Sequence, residues 1–390
     1  MKLTERILCV EPSPPREIFD LAMKLDDVVD LTLGDPDLPP PLNVRQAACD
    51  AIMAGKTRYS ANAGLKELRR QIASDLKLHR GIEANPDTEI IVTVGAMEAS
   101  FLTLYALVDP GDEVVIHAPY WINYSQVVRS LGGIPVFAYT RPEDGFQLRA
   151  TEIERLLTPR TKVVVLNSPN NPTGAIIPQT ELKRISELSI ERGFIVLSDE
   201  IYGSLVYDGA TAGSIAELPG MKERTVIIDG LSKRFAMTGW RLGWAVGPEQ
   251  LISHMVKMQE NIVACAPLPA QYAAIEALEP HTDASFIRDE FQKRRNVVYE
   301  GISRIPGLKC IRPQATFYAM TDISSTGLDS KTFALRLLES KRVAVVHGAA
   351  YGGKAYDGFI RIAFTMKEER LKEGLRRLAA FVDELSAKGE

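Results

Sequence analysis

Long hydrophobic runs are missing from this chain of 390 residues. No stretch approaches the ~20 apolar residues of a membrane span. The opening residues, Met1-Lys2-Leu3-Thr4-Glu5-Arg6, lack the apolar core of a secretory signal. Cysteine is scarce: Cys9, Cys49, Cys265 and Cys310 are scattered without CxxC spacing. Neither a disulfide framework nor a zinc site is expected, and the thiols read as reduced, in a cytoplasmic protein. Neither sign of charge is in large excess, since 46 Lys+Arg face 50 Asp+Glu for a formal −4. That balance gives no reason to expect a nucleic acid or a membrane surface as partner. There is no GxGxxG and no Walker A pattern, which disfavours dinucleotide and nucleoside triphosphate sites. Internal repeats and low-complexity tracts are absent as well.

What is present is an ordinary globular composition, 45% hydrophobic and 25% charged, on a chain long enough for two domains. Seven short apolar runs read as strands: Ile90 to Val94, Val114 to Ile116, Val136 to Ala138, Val163 to Leu166, Phe194 to Leu197, Val226 to Ile228 and Leu242 to Val246. Most are continuous β-branched runs, as expected for a mainly parallel sheet buried on both faces. Helical patterns separate most of them, which gives an α/β sheet covered by helices, with ligands beyond the carboxyl ends of the strands. A helix begins near Leu65. After about residue 280 a long amphipathic helix (Phe286, Ile287, Phe291, Val298, Ile302) leads into short strands. A terminal helix follows, with Leu371, Leu375, Leu378, Val382 and Leu385 on one stripe. The first 40 residues are proline-rich, with a helical stripe of Ile18, Leu21, Ala22 and Leu25, then Leu31 to Asp37 as a strand and turn. The expected division is an arm at 1–40 packing with a small α+β domain at 281–390, around a large domain at 41–280.

Chemistry-bearing residues fall at the strand ends. Lys233 lies in Asp229-Gly230-Leu231-Ser232-Lys233, where small residues place an amine at the mouth of a sheet; partial burial there lowers its pKa and frees the nucleophile. Arg241 offers a fork of donors suited to phosphate. Gly95-Ala96-Met97 follows a strand and opens a helix, whose first amides suit an anion. Trp121, after Pro119-Tyr120, is a flat group able to stack on a planar ring. Asn171 belongs to the polar, proline-rich run Asn167 to Gly174, and Asp199 and Tyr202 follow another apolar strand. Arg361 interrupts the apolar strand Gly358 to Phe364, so it must be paired or face a cavity. Each has an ordinary reading too: Lys233 a surface charge, Gly95 a βα turn, Trp121 core packing, Asp199 a helix N-cap.

Taken together and in this order, the motifs resemble the class I/II aminotransferases, aspartate aminotransferase-like enzymes of fold type I that use pyridoxal 5′-phosphate (PLP). The resemblance runs from Gly34 to Arg361. It implies a Schiff base on Lys233 and phosphate contacts from Ala96, Met97, Arg241 and a tyrosine, Tyr59, crossing from the partner of a homodimer. It also implies ring stacking by Trp121, and contacts of Asn171 and Tyr202 with the phenolic oxygen, often with a cis bond after that asparagine. Asp199 would face the pyridine nitrogen, and Arg361, helped by Gly34, would take the substrate carboxylate. No metal is implied. The reaction implied is amino transfer between an L-amino acid and a 2-oxo acid, ping-pong through pyridoxamine phosphate. The scaffold also hosts β-lyases, cyclases and oxidases.

Several positions depart from the pattern. Gly230 stands where many relatives have a phosphate-binding serine, and His347-Gly348 where a proline usually precedes glycine. Met97 stands where dicarboxylate-specific relatives can have lysine. With Ile18, Tyr120 and Ala264-Cys265-Ala266 it points to a neutral or aromatic side chain, leaving Arg58 or Arg234 as candidate charges. His347 reads either as a substrate contact or as part of its turn.

Overall fold

A computed structural model of the chain describes residues 1–387. All seven apolar runs form strands of one sheet: β1 (Ile90–Thr93), β2 (Glu113–Ala118), β3 (Ile134–Tyr139), β4 (Thr161–Asn167), β5 (Ile195–Asp199), β6 (Thr225–Gly230) and β7 (Gly243–Val246). Their order is β1-β7-β6-β5-β4-β2-β3. Pairing is parallel except around β7, which runs antiparallel to β1 and β6. Every residue of β1, β2 and β7 is buried, which explains the continuous apolar runs: both faces need apolar side chains. β3 is a sheet edge; it carries Pro135 and leaves Ile134 and Tyr139 exposed.

The helices that matter for the site and its support are α1 (Pro14–Ala22), α2 (Lys66–Arg80), α3 (Gly95–Leu107), α4 (Asn123–Ser130), α5 (Gln179–Arg192), α6 (Ser285–Ser303) and α7 (Glu368–Ala387). They cover both faces of the sheet. Val114 and Ile116 of β2 pack with Leu104 of α3 and Val128 of α4, whereas the intervening Val115 packs with Leu182 and Ile185 of α5.

A second sheet, antiparallel, comprises β8 (Lys309–Cys310), β9 (Tyr318–Asp322), β10 (Val346–His347) and β11 (Phe359–Ala363) in the order β10-β11-β9-β8. α6 and α7 bury Ile287, Phe291, Val298, Ile302 and the expected leucine stripe of α7 against it. Phe286 is exposed instead, because it lies about 100° round the helix from Ile287. The arm differs more. Its strand is only Val29–Asp30, parallel to Val343–Ala344, and Leu33 to Asp37 form neither strand nor helix. The Thr32 amide donates to the Asp30 carboxylate (2.9 Å) in place of a ladder partner, so the pairing stops there. α1 ends at Ala22, leaving Leu25 outside it. Ile18 and Ala22 are buried against Leu338 and Ala344, and Leu21 is exposed because only one narrow face meets the body. Among the described residues no helix is long and apolar enough to cross a membrane, no His/Cys/Asp/Glu cluster fits a metal, and the cysteines are free.

His117, in β2, is buried with neither ring nitrogen partnered among the described residues. Burial pushes its pKa down to about 4 from 6.5. A depressed folded-state pKa makes a contribution to stability that is present above pH 6.5 and is lost as pH falls toward 4. Asp199 and Asp229, raised by burial to about 6 and about 7, act in the opposite sense over part of this range. A variant therefore isolates the histidine. In His117→Leu, the stability lost between pH 7 and pH 5, measured by urea unfolding, should be smaller than in the parent by roughly 2 kcal/mol. Equal losses in the two proteins would contradict this.

Candidate active site

The carboxyl ends of β4, β5 and β6 open onto a cavity of about 350 Å³. Lys233, Asp199, Asn171, Tyr202, Arg241, Arg361, Trp121, Ala96, Met97 and Gly34 all line it, though they come from segments up to 327 residues apart (34 to 361).

Lys233 sits in a single helical turn, Leu231–Arg234, directly after β6. Its amine donates to the Gly34 carbonyl (2.8 Å) and lies 5.4 Å from the Phe317 ring centre. The residue keeps some surface toward the cavity while its amine is enclosed. Burial brings its pKa down to about 8; Asp35 opposes this, and Arg241 and Arg361 add to it. An amine near 8 is available in its neutral form at ordinary pH, as proton transfer and nucleophilic attack both require.

Asp199 ends β5 and is buried, which pushes its carboxyl up to about 6 against the hydrogen bond from the Tyr124 hydroxyl. It also accepts from the Ile201 amide (3.1 Å), an Asx-type turn, and caps no helix among the described residues. Asn167 donates to the Asp199 carbonyl (3.2 Å) and accepts from the Asn171 amide (2.9 Å), which ties the ends of β4 and β5 together. The Asn171–Pro172 bond is cis, as are Ala118–Pro119 and Ser168–Pro169. The Tyr202 hydroxyl is 3.3 Å from that of Tyr318.

Arg361, from β11, is buried between the faces of Tyr318 (4.3 Å) and Tyr351 (5.1 Å). It donates to Asn171 Oδ1 (3.1 Å) and to the Thr32 carbonyl, and its Nε has no partner among the described residues. A buried guanidinium with an unused donor is a receptor for an anion.

At the other end, Arg241 has a left-handed backbone (φ 54°) and donates to the Thr238 carbonyl (2.8 Å). Its guanidinium lies over Gly95, where an added Cβ would come within 2.5 Å of Nη2. Gly95 also has φ +79°, so a side chain there is disfavoured twice. A Cβ on Gly243 would come within 2.3 Å of the Ala96 nitrogen. Two glycines thus clear the start of α3, where the first amides of a helix meet an arginine.

With this geometry in view the comparisons are specific. The model for aminotransferase class I and II matches residues 26–378. The chain belongs to this family.

The aspartate aminotransferase of Pyrococcus abyssi is 39% identical and the match covers 97% of each chain. An aromatic-amino-acid aminotransferase of Thermococcus litoralis is 38% identical over 98% of this chain and 99% of its own. The solved aspartate aminotransferase of Thermus thermophilus with maleate superimposes at a TM-score of 0.93, with 38% identity over 97% of this chain and 99% of its own. This class I/II aminotransferase is a PLP-dependent enzyme of fold type I. The residues present fit the cofactor's chemistry: a low-pKa amine, a buried carboxylate, and an arginine beside a helix start that two glycines keep clear.

Not every residue read from the sequence reaches the cavity. Ile18 packs the arm against Leu338 and Ala344, Tyr120 stacks on Phe137 (4.7 Å), and Ala264 to Ala266 do not line the cavity of their own chain. Arg58 is absent from the lining, and Arg234 is held by both oxygens of Asp75 (2.8 and 2.9 Å) beside a different cleft. His347 is half-buried on β10, outside the cavity, its pKa lowered by burial. Tyr59 is 86% exposed and does not line the cavity of its own chain. Conversely, Tyr124, Tyr318, Asn167, Ser232, Thr238 and Arg16 line it without having been singled out. Only Tyr124 had a legible signal, one helical turn after Trp121 on a segment following a strand.

Proposed function

We propose that the enzyme moves an amino group from an L-amino acid to a 2-oxo acid in ping-pong order, the first product leaving before the second substrate enters. What supports this most is the meeting of Lys233, Asp199 and Arg361 in one cavity, with Arg241 and the start of α3 at its far end. When bound, PLP supplies a carbonyl for the substrate nitrogen and a ring that takes up the electron pair left at Cα. Lys233 would hold the cofactor and, once its amine is free, would move the Cα proton to the cofactor carbon on the far side of the substrate nitrogen, a task its burial favours by lowering its pKa. Asp199, steadied by Tyr124, keeps the ring nitrogen protonated. Arg241, Ser232 and the Ala96 and Met97 amides hold the phosphate, with Ser232 standing in for the serine missing at Gly230. Asn171 and Tyr202 take the phenolic oxygen, and Trp121 covers the ring. Arg361 and the Gly34 backbone grip the α-carboxylate, which fixes the Cα–H bond toward Lys233.

The wall formed by Met97, Trp121 and Ile122 carries no charge, which favours a neutral or aromatic donor over a dicarboxylate. The exposure of Tyr59 supports its reaching the cavity of a second copy, hence a homodimer. We further infer the arm, large-domain and small-domain division at 1–40, 41–280 and 281–390. Free thiols support a cytoplasmic location.

The test is a panel of amino acids offered with 2-oxoglutarate, followed by assays for glutamate, ammonia and sulfide. Glutamate with no ammonia is expected, with neutral and aromatic donors ahead. Ammonia or sulfide without a new amino acid would move the enzyme to the lyase chemistry of the same scaffold.

A further inference from the structure

A second cleft, of about 590 Å³, lies behind the strand ends that carry Asp199 and Lys233. Neighbouring residues at a strand end point to opposite sides. Asp199 lines the active-site cavity, and Glu200 beside it lines the cleft. Lys233 likewise lines the cavity, while Asp229 before it and Arg234 after it line the cleft. Arg80, the last residue of α2, reaches in and donates to both acids, to the Glu200 carboxylate and to Asp229 Oδ2 (2.8 Å). Their other oxygens are taken as well. Glu200 Oε1 accepts from the hydroxyls of Ser198 (2.8 Å) and Ser214 (2.6 Å), and Asp229 Oδ1 from the Gly230 amide (2.7 Å). The guanidinium passes over Gly203, where an added Cβ would lie 3.0 Å from Nη2. Asp75, also on α2, holds Arg234 with both oxygens, so one helix grips the Lys233 segment on both flanks.

Packed apolar groups in place of an enclosed ionic cluster often leave stability unchanged or higher, so stability alone is a weak account of it. Position is a better one. The ladder between β5 and β6 ends where the Glu200 amide donates to the Ile228 carbonyl (2.9 Å). Past that point Lys233 sits in one helical turn, too short to hold its own geometry. Arg80 carries the connection between the two strand ends beyond the ladder.

We propose that Arg80 is a positioning residue for amino transfer: bridging Glu200 and Asp229 from behind, it fixes the spacing between Asp199 and Lys233. The proposal rests on the transamination reading, which gives those two groups their roles. The test uses holoenzyme saturated with PLP. Without substrate, the circular dichroism per bound cofactor reports how the ring sits between Lys233 and Asp199; with substrate, kcat and KM are measured beside a thermal melt. Arg80→Gln should alter the dichroism and lower kcat roughly 10–100-fold with KM nearly unchanged, as a small displacement of the amine would. Arg80→Lys, which can serve one carboxylate at a time, should restore part of both. A lower melting temperature with parental dichroism and kcat would show a merely structural ion cluster and overturn the proposal. If Arg80→Gln does not fold, Glu200→Gln decides. Its oxygen can face Arg80 and its NH2 the two serine hydroxyls, so shape is kept while the charge is lost. The same changes at smaller size are expected there, and parental values would overturn the proposal. If no amino transfer occurs at all, the transamination reading fails by itself, while the dichroism still judges Arg80.

Discussion

Lys233→Ala is expected to lower kcat/KM by at least ~10⁴-fold. The variant loses the proposed covalent attachment of the cofactor and the side chain proposed to move the Cα proton, and proton transfer alone contributes ~10²–10⁴-fold. The loss should not come from unfolding. The amine makes one hydrogen bond, to Gly34, and the pKa lowered by burial shows that its charged form is disfavoured where it sits. Removing a poorly solvated charge is expected to leave stability unchanged or slightly higher. The check is single-turnover conversion of a bound amino acid, followed by the cofactor's absorbance, beside a thermal melt. Retention of more than about 1% of parental turnover would contradict the role of Lys233, given the size of the proton-transfer term.

Asp199→Asn carries the second largest effect. The amide has the carboxylate's shape; its oxygen can keep the bond from the Ile201 amide while its NH2 group donates to the Tyr124 hydroxyl, so packing is preserved while the negative charge is lost. In its proposed role that charge keeps the ring nitrogen protonated, so its loss would leave the pair of electrons released at Cα poorly stabilised. A drop of ~10²–10³ in kcat/KM is expected, in line with removal of one preorganised electrostatic partner. Tyr124→Phe should cost less and leave a different signature. Its hydroxyl is the largest influence holding the Asp199 carboxyl down against burial, so losing it raises a pKa already near 6. The acid limb of the kcat/KM profile should move to higher pH, because a carboxylate held less well is neutralised earlier as pH falls. An unmoved acid limb would show that Tyr124 does not act through Asp199.

The sheet was legible because burial on both faces leaves little choice of residue. Runs such as Val163 to Leu166 carry their own assignment, and an edge strand such as β3 betrays itself by Pro135. The cavity residues were legible for a related reason: Lys233, Asp199 and Arg361 are charged groups set against apolar runs, where a charge needs a purpose. Residues that act through others gave no such signal. Tyr318 looks like any buried aromatic until the Arg361 guanidinium is placed beside it, and Tyr124 offered only its spacing from Trp121 until the Asp199 carboxylate was seen to accept from it. The side-chain wall was misread at Ile18 and Tyr120 because which neutral residue faces a cavity depends on long-range packing, and sequence spacing holds no record of it. The arm was misread for a similar reason. Leu31 to Leu33 has the composition of a strand, but a strand needs a partner, and Val343–Ala344 is only two residues long.

The most direct test joins the cofactor to one nitrogen. Holoenzyme reduced with borohydride and digested should yield a single peptide carrying the reduced cofactor on Lys233, in parent and Asp199→Asn proteins alike. A label on any other lysine, or none after reconstitution with PLP, would contradict the assignment of the cavity.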